Sequence, residues 1–381
     1  MQTLPIADLL PDRVVVHGAL GFDERDGGLG VRRLPDWTRP QLPQPMDATV
    51  RMPSGVRLRF ATDSRRVGVG FLATNMVAPP RARRPVVFNL ETAERLERTE
   101  STAGNVIRMS PDAPGGFELV RGEADTVVFD GLAPGVKTCE VWLPHNAFVE
   151  LRTLVVEDGA SVGPVPSDAR PRWVHYGSSI SHCMEADEPA MTWPAVAARG
   201  AGVALQNLGF GGQCHLDQFV ARTIRDLDDV DVVTIKTGIN IVNMDSMRER
   251  VFTPALHGFI DTIRERRPDV PLMVISPIFC PSAETRPGPT IPNERGKFVT
   301  VDGFEPYRGG SLSLVRIREI IADVVDARCA AGDLNLHYHD GLTLFGADDA
   351  PDLPDDLHPN PAGYRRMGER FAPVLAGLLD P

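Results

Sequence analysis

The 381-residue sequence predicts two domains: an all-β sandwich or jelly roll over residues 1–165, then an α/β domain over 170–381. Three observations lead there. The first part is filled by short β-prone runs with turn formers between them. From about residue 170 the rhythm changes to strand, loop and helix in alternation, which implies a mostly parallel sheet covered by helices. Residues 157–166 lie between the two rhythms, rich in Gly and Pro and without periodicity, as a linker would be.

In the first domain the clearest strand is Val56-Arg57-Leu58-Arg59-Phe60, apolar at every second position, the period of a half-buried strand. Further short strands are predicted at Val14-Val15-Val16 and at residues 67–72, 86–88, 126–129, 140–143 and 148–151. Pro53-Ser54-Gly55, residues 112–116 and Pro134-Gly135 supply turns between them.

In the second domain strands are predicted at 172–176, 203–208, 231–236, 272–276 and 335–339. Helices are predicted at 192–200, 216–227, 246–267, 312–329 and 361–379. In the fourth, Leu314, Ile317, Ile321, Val324 and Val325 recur at spacings of mainly three and four, which gathers them on one face. Residues 281–311 form a long Pro/Gly-rich connection whose position predicts a substrate-covering loop.

Composition narrows the partners. Hydrophobic content of 42% with 24% charged residues suits buried cores. A net charge of −11 and a pI near 5.3, with no basic cluster, argue against nucleic acid. The start MQTLPIADLL has no basic segment leading into an apolar one, and no run of 18 apolar residues occurs, so neither a secretory leader nor a membrane span is expected and the location reads as cytoplasmic. The five cysteines are scattered without CxxC spacing, so free thiols are expected, although Cys183 and Cys214 both fall close to the candidate site and could approach each other.

In a parallel sheet the loops after the strands share one rim, which is where open α/β folds place their chemistry. The first predicted strand stops at Gly177 and hands over to Ser178-Ser179. Ser179 is the candidate nucleophile, and it needs a histidine base held by a carboxylate. Asp355-Asp356-Leu357-His358 supplies one. The second strand ends in the run from Asn207 to Gly212, where glycines let a backbone N–H approach a ligand. The third ends in Gly238-Ile239-Asn240, whose amide can donate to an oxyanion. Taken singly, each of these reads more readily as a turn, a helix cap or an ordinary loop residue; their order, and the rim that the first three share, give them weight. His182 and His215 follow the first two motifs and are candidate pocket residues. His337, His339 and Asp340 form an HxHD string, but a third ligand with suitable spacing is lacking, so no metal is expected.

Gly177-Ser178-Ser179, Asn207 to Gly212, Gly238-Ile239-Asn240 and Asp355 to His358, with Trp193-Pro194 between them, resemble the motif blocks of the SGNH or GDSL hydrolase superfamily across residues 170–381. The resemblance implies a flavodoxin-like three-layer α/β/α fold needing no cofactor. It implies Ser179 as nucleophile, His358 as general base and Asp355 as its carboxylate, with an oxyanion hole from the Ser179 and Gly212 N–H groups and the Asn240 side chain. Two positions depart from the family pattern: Ser178 stands where an aspartate is usual, and Ile241 follows the asparagine. An α/β-hydrolase elbow would need glycine where Ser181 stands. The two-domain layout, with Arg33-Leu34-Pro35-Asp36-Trp37 and residues 211–217, is similar to carbohydrate-esterase-like enzymes and to GDSL acyltransferases related to a salicylyl-transferring enzyme of tetracycline biosynthesis.

The expectation is a serine esterase acting on a small-molecule ester or an acylated sugar. An acyltransferase using a hydroxyl acceptor, and an inactive carbohydrate-binding protein, are the alternatives.

Overall fold

The structure is a computed structural model and describes residues 1–77, 82–110, 113, 116–166, 168–302 and 308–380. Most of the predicted turn at 112–116, and residues 303–307 of the long connection, lie outside the described residues. The chain divides into two compact units. One comprises Met1–Arg39, Asp47–Asp168 and Asp187–Ala190; the other comprises Pro40–Met46, Ala169–Ala186 and Met191–Pro381.

The first unit holds two sheets. Phe117–Val120, Asn105–Met109, Val67–Val77, Phe148–Val156, Gly28–Arg32 and Gly21–Arg25 lie in that order in one sheet, joined by Gln2–Pro5 and Asp125–Phe129. Val162–Gly163, Arg57–Thr62, Lys137–Trp142, Val86–Glu91 and Leu96–Ser101 form the other, joined by Val15–His17. Leu58 and Phe60 alternate into a core shared with Phe71, Phe88, Val141 and Leu151, as the two-residue period requires. On the opposite face of that strand Arg57 is also buried, hydrogen-bonded to Glu140 at 2.7 Å and stacked over Trp142. Sequence reading missed several strands here. Leu96–Ser101 reads LERTES, a charged strand at the end of its sheet with little apolar signal. The short helix Gln44–Val50 also departs from an all-β reading.

The second unit is built on a five-stranded parallel sheet: β1 Arg172–Gly177, β2 Ala204–Gly209, β3 Val232–Lys236, β4 Leu272–Ile275 and β5 Leu336–His339. The spatial order is β2-β1-β3-β4-β5, that of a flavodoxin-like sheet, and every pairing is parallel. The central strands are apolar on both faces because helices cover both. On one face Trp173 meets Trp193 of α2 (Trp193–Ala201) and Phe371 of α8 (Pro361–Gly377), with ring centroids 5.8–6.2 Å apart. On the other, Tyr176 stacks at 5.2 Å on Phe259 of α5 (Glu249–Arg264). The remaining helices are α1 (Ser179–His182), α3 (Gln218–Asp226), α4 (Ile239–Met244), α6 (Leu314–Ala330) and α7 (Gly341–Leu344). Among the described residues no helix is long and apolar enough to cross a membrane.

The order of strands reverses between β1 and β3. Their carboxyl ends therefore leave a crevice at that point, and α1 and α4 start there.

Candidate active site

The site begins where β1 ends. A Cβ on Gly177 would fall on the Ser181 hydroxyl, and one on Gly209 would come within 2.7 Å of the Ser181 and His182 backbone, so the tight turn into α1 requires glycine on both strands. The two neighbouring serines are then separated by function. Ser178 is fully buried and its Oγ accepts the Ile180 N–H at 3.3 Å, a helix N-cap. The Ser179 hydroxyl instead lies 3.0 Å from His358 Nε2.

His358 sits on the loop before α8. Its Nδ1 is 2.8 Å from Asp355 Oδ2, while Asp355 Oδ1 accepts the N–H groups of His358 and Leu357 at 2.7 and 3.1 Å. With the carboxylate as acceptor, Nδ1 carries the proton and Nε2 accepts the Ser179 O–H. Burial pushes the Asp355 carboxyl up, but the hydrogen bond and charge of His358 and the two N–H groups outweigh it and hold the carboxyl below the usual range. Asp356, the other candidate carboxylate, turns away to Lys297 Nζ at 2.9 Å from a left-handed backbone.

Across the crevice, Asn240 belongs to the first turn of α4. Its Oδ1 accepts the Cys214 N–H at 3.0 Å, which leaves the Nδ2 donors as the free end of the amide. Gly212 takes φ +71°, a left-handed value that glycine adopts without strain. Ser179 N–H opens α1 and no carbonyl of its own helix reaches it. These are the donors the sequence singled out for an oxyanion.

The two candidate pocket histidines fare differently. His182, expected to line the pocket, is fully buried. It sits on the inner side of a one-turn helix, where proximity in sequence to Ser179 does not mean proximity to solvent. His215 is partly exposed and bonds Ser246 Oγ at 2.9 Å and the Gly212 carbonyl at 3.2 Å, so it braces the glycine loop. In the HxHD string, His339 bonds Thr343 and Asp340 caps α7. All five cysteines are free.

Sequence reading missed the shell that holds α1. A four-residue helix is too short to hold itself. Trp193 Nε1 donates to the Ile180 carbonyl at 2.9 Å, and Asn207 Nδ2 to that of Ser181 at 3.1 Å. Beneath them His175, fully buried, bonds Ser181 Oγ at 2.7 Å and Thr234 Oγ1 at 2.6 Å. Only the alternation of β1, which puts His175 on the Trp173 face, hints at this.

With that geometry, the arrangement has three of the parts that acyl transfer requires: a hydroxyl, a base, and a carboxylate behind the base. Comparison with known families agrees. The profile of the GDSL-like lipase/acylhydrolase family matches residues 175–366, about half of the chain. The chain belongs to that family. Its chemistry is ester hydrolysis or acyl transfer.

The profile of the SsfX3 N-terminal domain matches residues 14–152. Among solved structures, the chain is similar to salicylyl-acyltransferase SsfX3 from a tetracycline biosynthetic pathway, with 27% identity, a TM-score of 0.81, and 99% of this chain and 97% of that one covered. Two others share the fold. A Bacteroides ovatus protein solved as a GDSL-like lipase has 19% identity and a TM-score of 0.69, covering 99% and 98% of the two chains. A family two carbohydrate esterase from Clostridium thermocellum, solved with cellohexaose, has 15% identity and a TM-score of 0.60, covering 96% and 99%. A search of curated proteins finds no match.

Proposed function

We propose that this GDSL-family protein is a serine esterase that passes through an acyl-enzyme on Ser179, with a small-molecule ester or an acylated sugar as substrate. The observation that carries the reading is the unbroken row Ser179 Oγ, His358 Nε2, His358 Nδ1, Asp355 Oδ2, with contacts of 3.0 and 2.8 Å. His358 takes the Ser179 proton as Oγ attacks the carbonyl carbon. Charge collects on the carbonyl oxygen, facing the Ser179 and Gly212 N–H groups and the Asn240 amide. His358 then gives the proton to the departing alkoxide. Water, deprotonated by the same nitrogen, releases the acid and restores the serine.

A second reading keeps the first half and replaces water by an acceptor hydroxyl. It is favoured by the likeness of the whole chain, both units included, to a salicylyl-acyltransferase. A carbohydrate-binding protein without turnover is disfavoured by the same row of contacts.

The test is hydrolysis of a nitrophenyl ester series from acetyl to decanoyl and benzoyl, comparing wild type with Ser179→Ala. Turnover by wild type that the substitution abolishes is the expected result. Full activity in a folded Ser179→Ala protein would sink the assignment.

A further inference from the structure

The long connection after β4 is not shapeless. Its described part contains a short antiparallel hairpin, Thr290–Pro292 against Phe298–Thr300, with its turn closed by Asn293 Oδ1 accepting the Arg295 and Lys297 N–H groups. This hairpin is fastened to the loop that carries Asp355 and His358. Phe298 N–H donates to the Asp355 carbonyl at 2.8 Å. Lys297 Nζ donates to Asp356 Oδ1 at 2.9 Å, and Cys280 Sγ, near the root of the connection, to the Asp356 carbonyl at 3.3 Å. The Phe298 ring meets the His358 imidazole edge-on, with centroids 5.7 Å apart and planes at 77°.

Directly opposed residues of an antiparallel pair share a face. Pro292 and Phe298 are therefore on one side of the hairpin, with the imidazole, and Ile291 and Val299 on the other. Phe298 is only half buried, so the residue that packs on His358 is not sealed into the core.

The chemistry decides what else lies beside the imidazole. In the tetrahedral adduct on Ser179 the carbon carries four groups: Ser179 Oγ, the oxyanion, the acyl chain, and the oxygen that leaves or arrives. The last must lie within hydrogen-bond reach of His358 Nε2, because that nitrogen gives or takes its proton. Whatever is attached to that oxygen consequently lies beside the imidazole, the same ring that Phe298 packs against.

We infer that Phe298 is the wall of the alcohol side of the site, and that it selects as acyl acceptor a hydroxyl carried on an apolar ring. This assignment rests on the acyl-enzyme reading above and names the partner class for its second half-reaction. Water and methanol gain little from the phenyl surface, whereas a ring-bearing alcohol buries apolar area against it. Preferences of roughly tenfold are what such a contact supplies. In the transfer step the acceptor oxygen bonds to the acyl carbon, its proton passes to His358 Nε2, the carbon–Oγ bond breaks, and the proton goes to Ser179 Oγ. The products are the new ester and the free serine.

The experiment follows one acyl-enzyme into competing acceptors. Nitrophenyl hexanoate serves as donor in buffer containing equal concentrations of benzyl alcohol and methanol, and benzyl ester, methyl ester and hexanoic acid are quantified by chromatography. Wild type is expected to give benzyl over methyl ester by roughly tenfold. Phe298→Ala is expected to lower that ratio at least about fivefold, Phe298→Leu to fall between, and Ile291→Ala, on the other face, to leave it unchanged. Because the ratio is set within each turnover, it does not depend on how much of a variant folds. No benzyl preference in wild type, or an equal ratio in wild type and Phe298→Ala, would overturn the inference while Ser179-dependent nitrophenolate release kept the acyl-enzyme reading intact. Absence of Ser179-dependent release would remove both.

Discussion

Ser179 and Ser181 share one helical turn, and each hydroxyl meets a histidine. Ser179 Oγ lies 3.0 Å from His358 Nε2, and Ser181 Oγ lies 2.7 Å from His175 Nε2. By distance alone the second pair is the better one. The difference lies behind the imidazoles. His358 Nδ1 faces the Asp355 carboxylate, while His175 Nδ1 faces the Thr234 hydroxyl at 2.6 Å. A carboxylate stabilises the imidazolium that forms when the serine gives up its proton; a hydroxyl does so far less. Burial, reinforced by the nearby Lys236 charge, also pushes the His175 pKa well below its ordinary value, so it resists protonation. Ser181 and His175 are fully buried as well, out of reach of any substrate. The comparison teaches that a base needs a place for charge to go and access to the reacting atom, and that a short hydrogen bond certifies neither.

Substitutions in the two pairs should separate accordingly. Ser179→Ala should lower kcat by roughly 10⁴-fold or more, whereas Ser181→Ala should keep turnover within about tenfold and instead destabilise the fold by about 1–3 kcal/mol through the orphaned His175 nitrogen. Initial rates and thermal unfolding of both variants check this, and equal loss of activity in the two would erase the distinction.

The groups behind the imidazoles provide the next contrast. Asp355→Asn should cost roughly 10³–10⁴ in kcat, since the wrong tautomer then faces Ser179, while Thr234→Val should cost stability and under about tenfold in rate. Across the crevice, Asn240→Ala should lower kcat by about 10²–10³ with KM little changed, as expected of a donor used mainly in the transition state.

The smallest effect concerns Lys236, buried at the end of β3 and pushed down to about 8 by that burial. Below about pH 8 folding keeps an ammonium in the core. Between about 8 and its ordinary 10.5 the unfolded chain binds the extra proton, so stability rises with pH across that window. Lys236→Met should therefore stabilise the protein at pH 7, by something on the order of 1–3 kcal/mol, and the gain should shrink by pH 10. Denaturant unfolding of both proteins at the two pH values reads this directly.

Much of the α/β unit was legible in the sequence. Its strands are short apolar runs that stop at loops rich in glycine and asparagine, and a parallel sheet gathers those stops on one rim. Ser179, the run from Asn207 to Gly212 and Asn240 could thus be singled out although they are far apart in the chain, and His358 by the aspartate three residues before it. Other features were not legible. His182 lies three residues from Ser179, yet the turn of α1 aims it into the core, which depends on glycines at 177 and 209 from two different strands. The Phe298 hairpin lacks periodicity, and what orders it is a set of bonds to a loop nearly 60 residues away. Leu96–Ser101 is a strand because of its partner Val86–Glu91, and its own composition gives little sign of it.

Covalent labelling by a fluorophosphonate, followed by peptide mapping, tests the central claim most directly, because the probe reacts only with a serine activated by its own base. A single adduct on Ser179, formed slowly in Asp355→Asn and absent in Ser179→Ala, is the predicted result. An adduct on Ser178 or Ser181, or ester turnover with no adduct at all, would contradict the account.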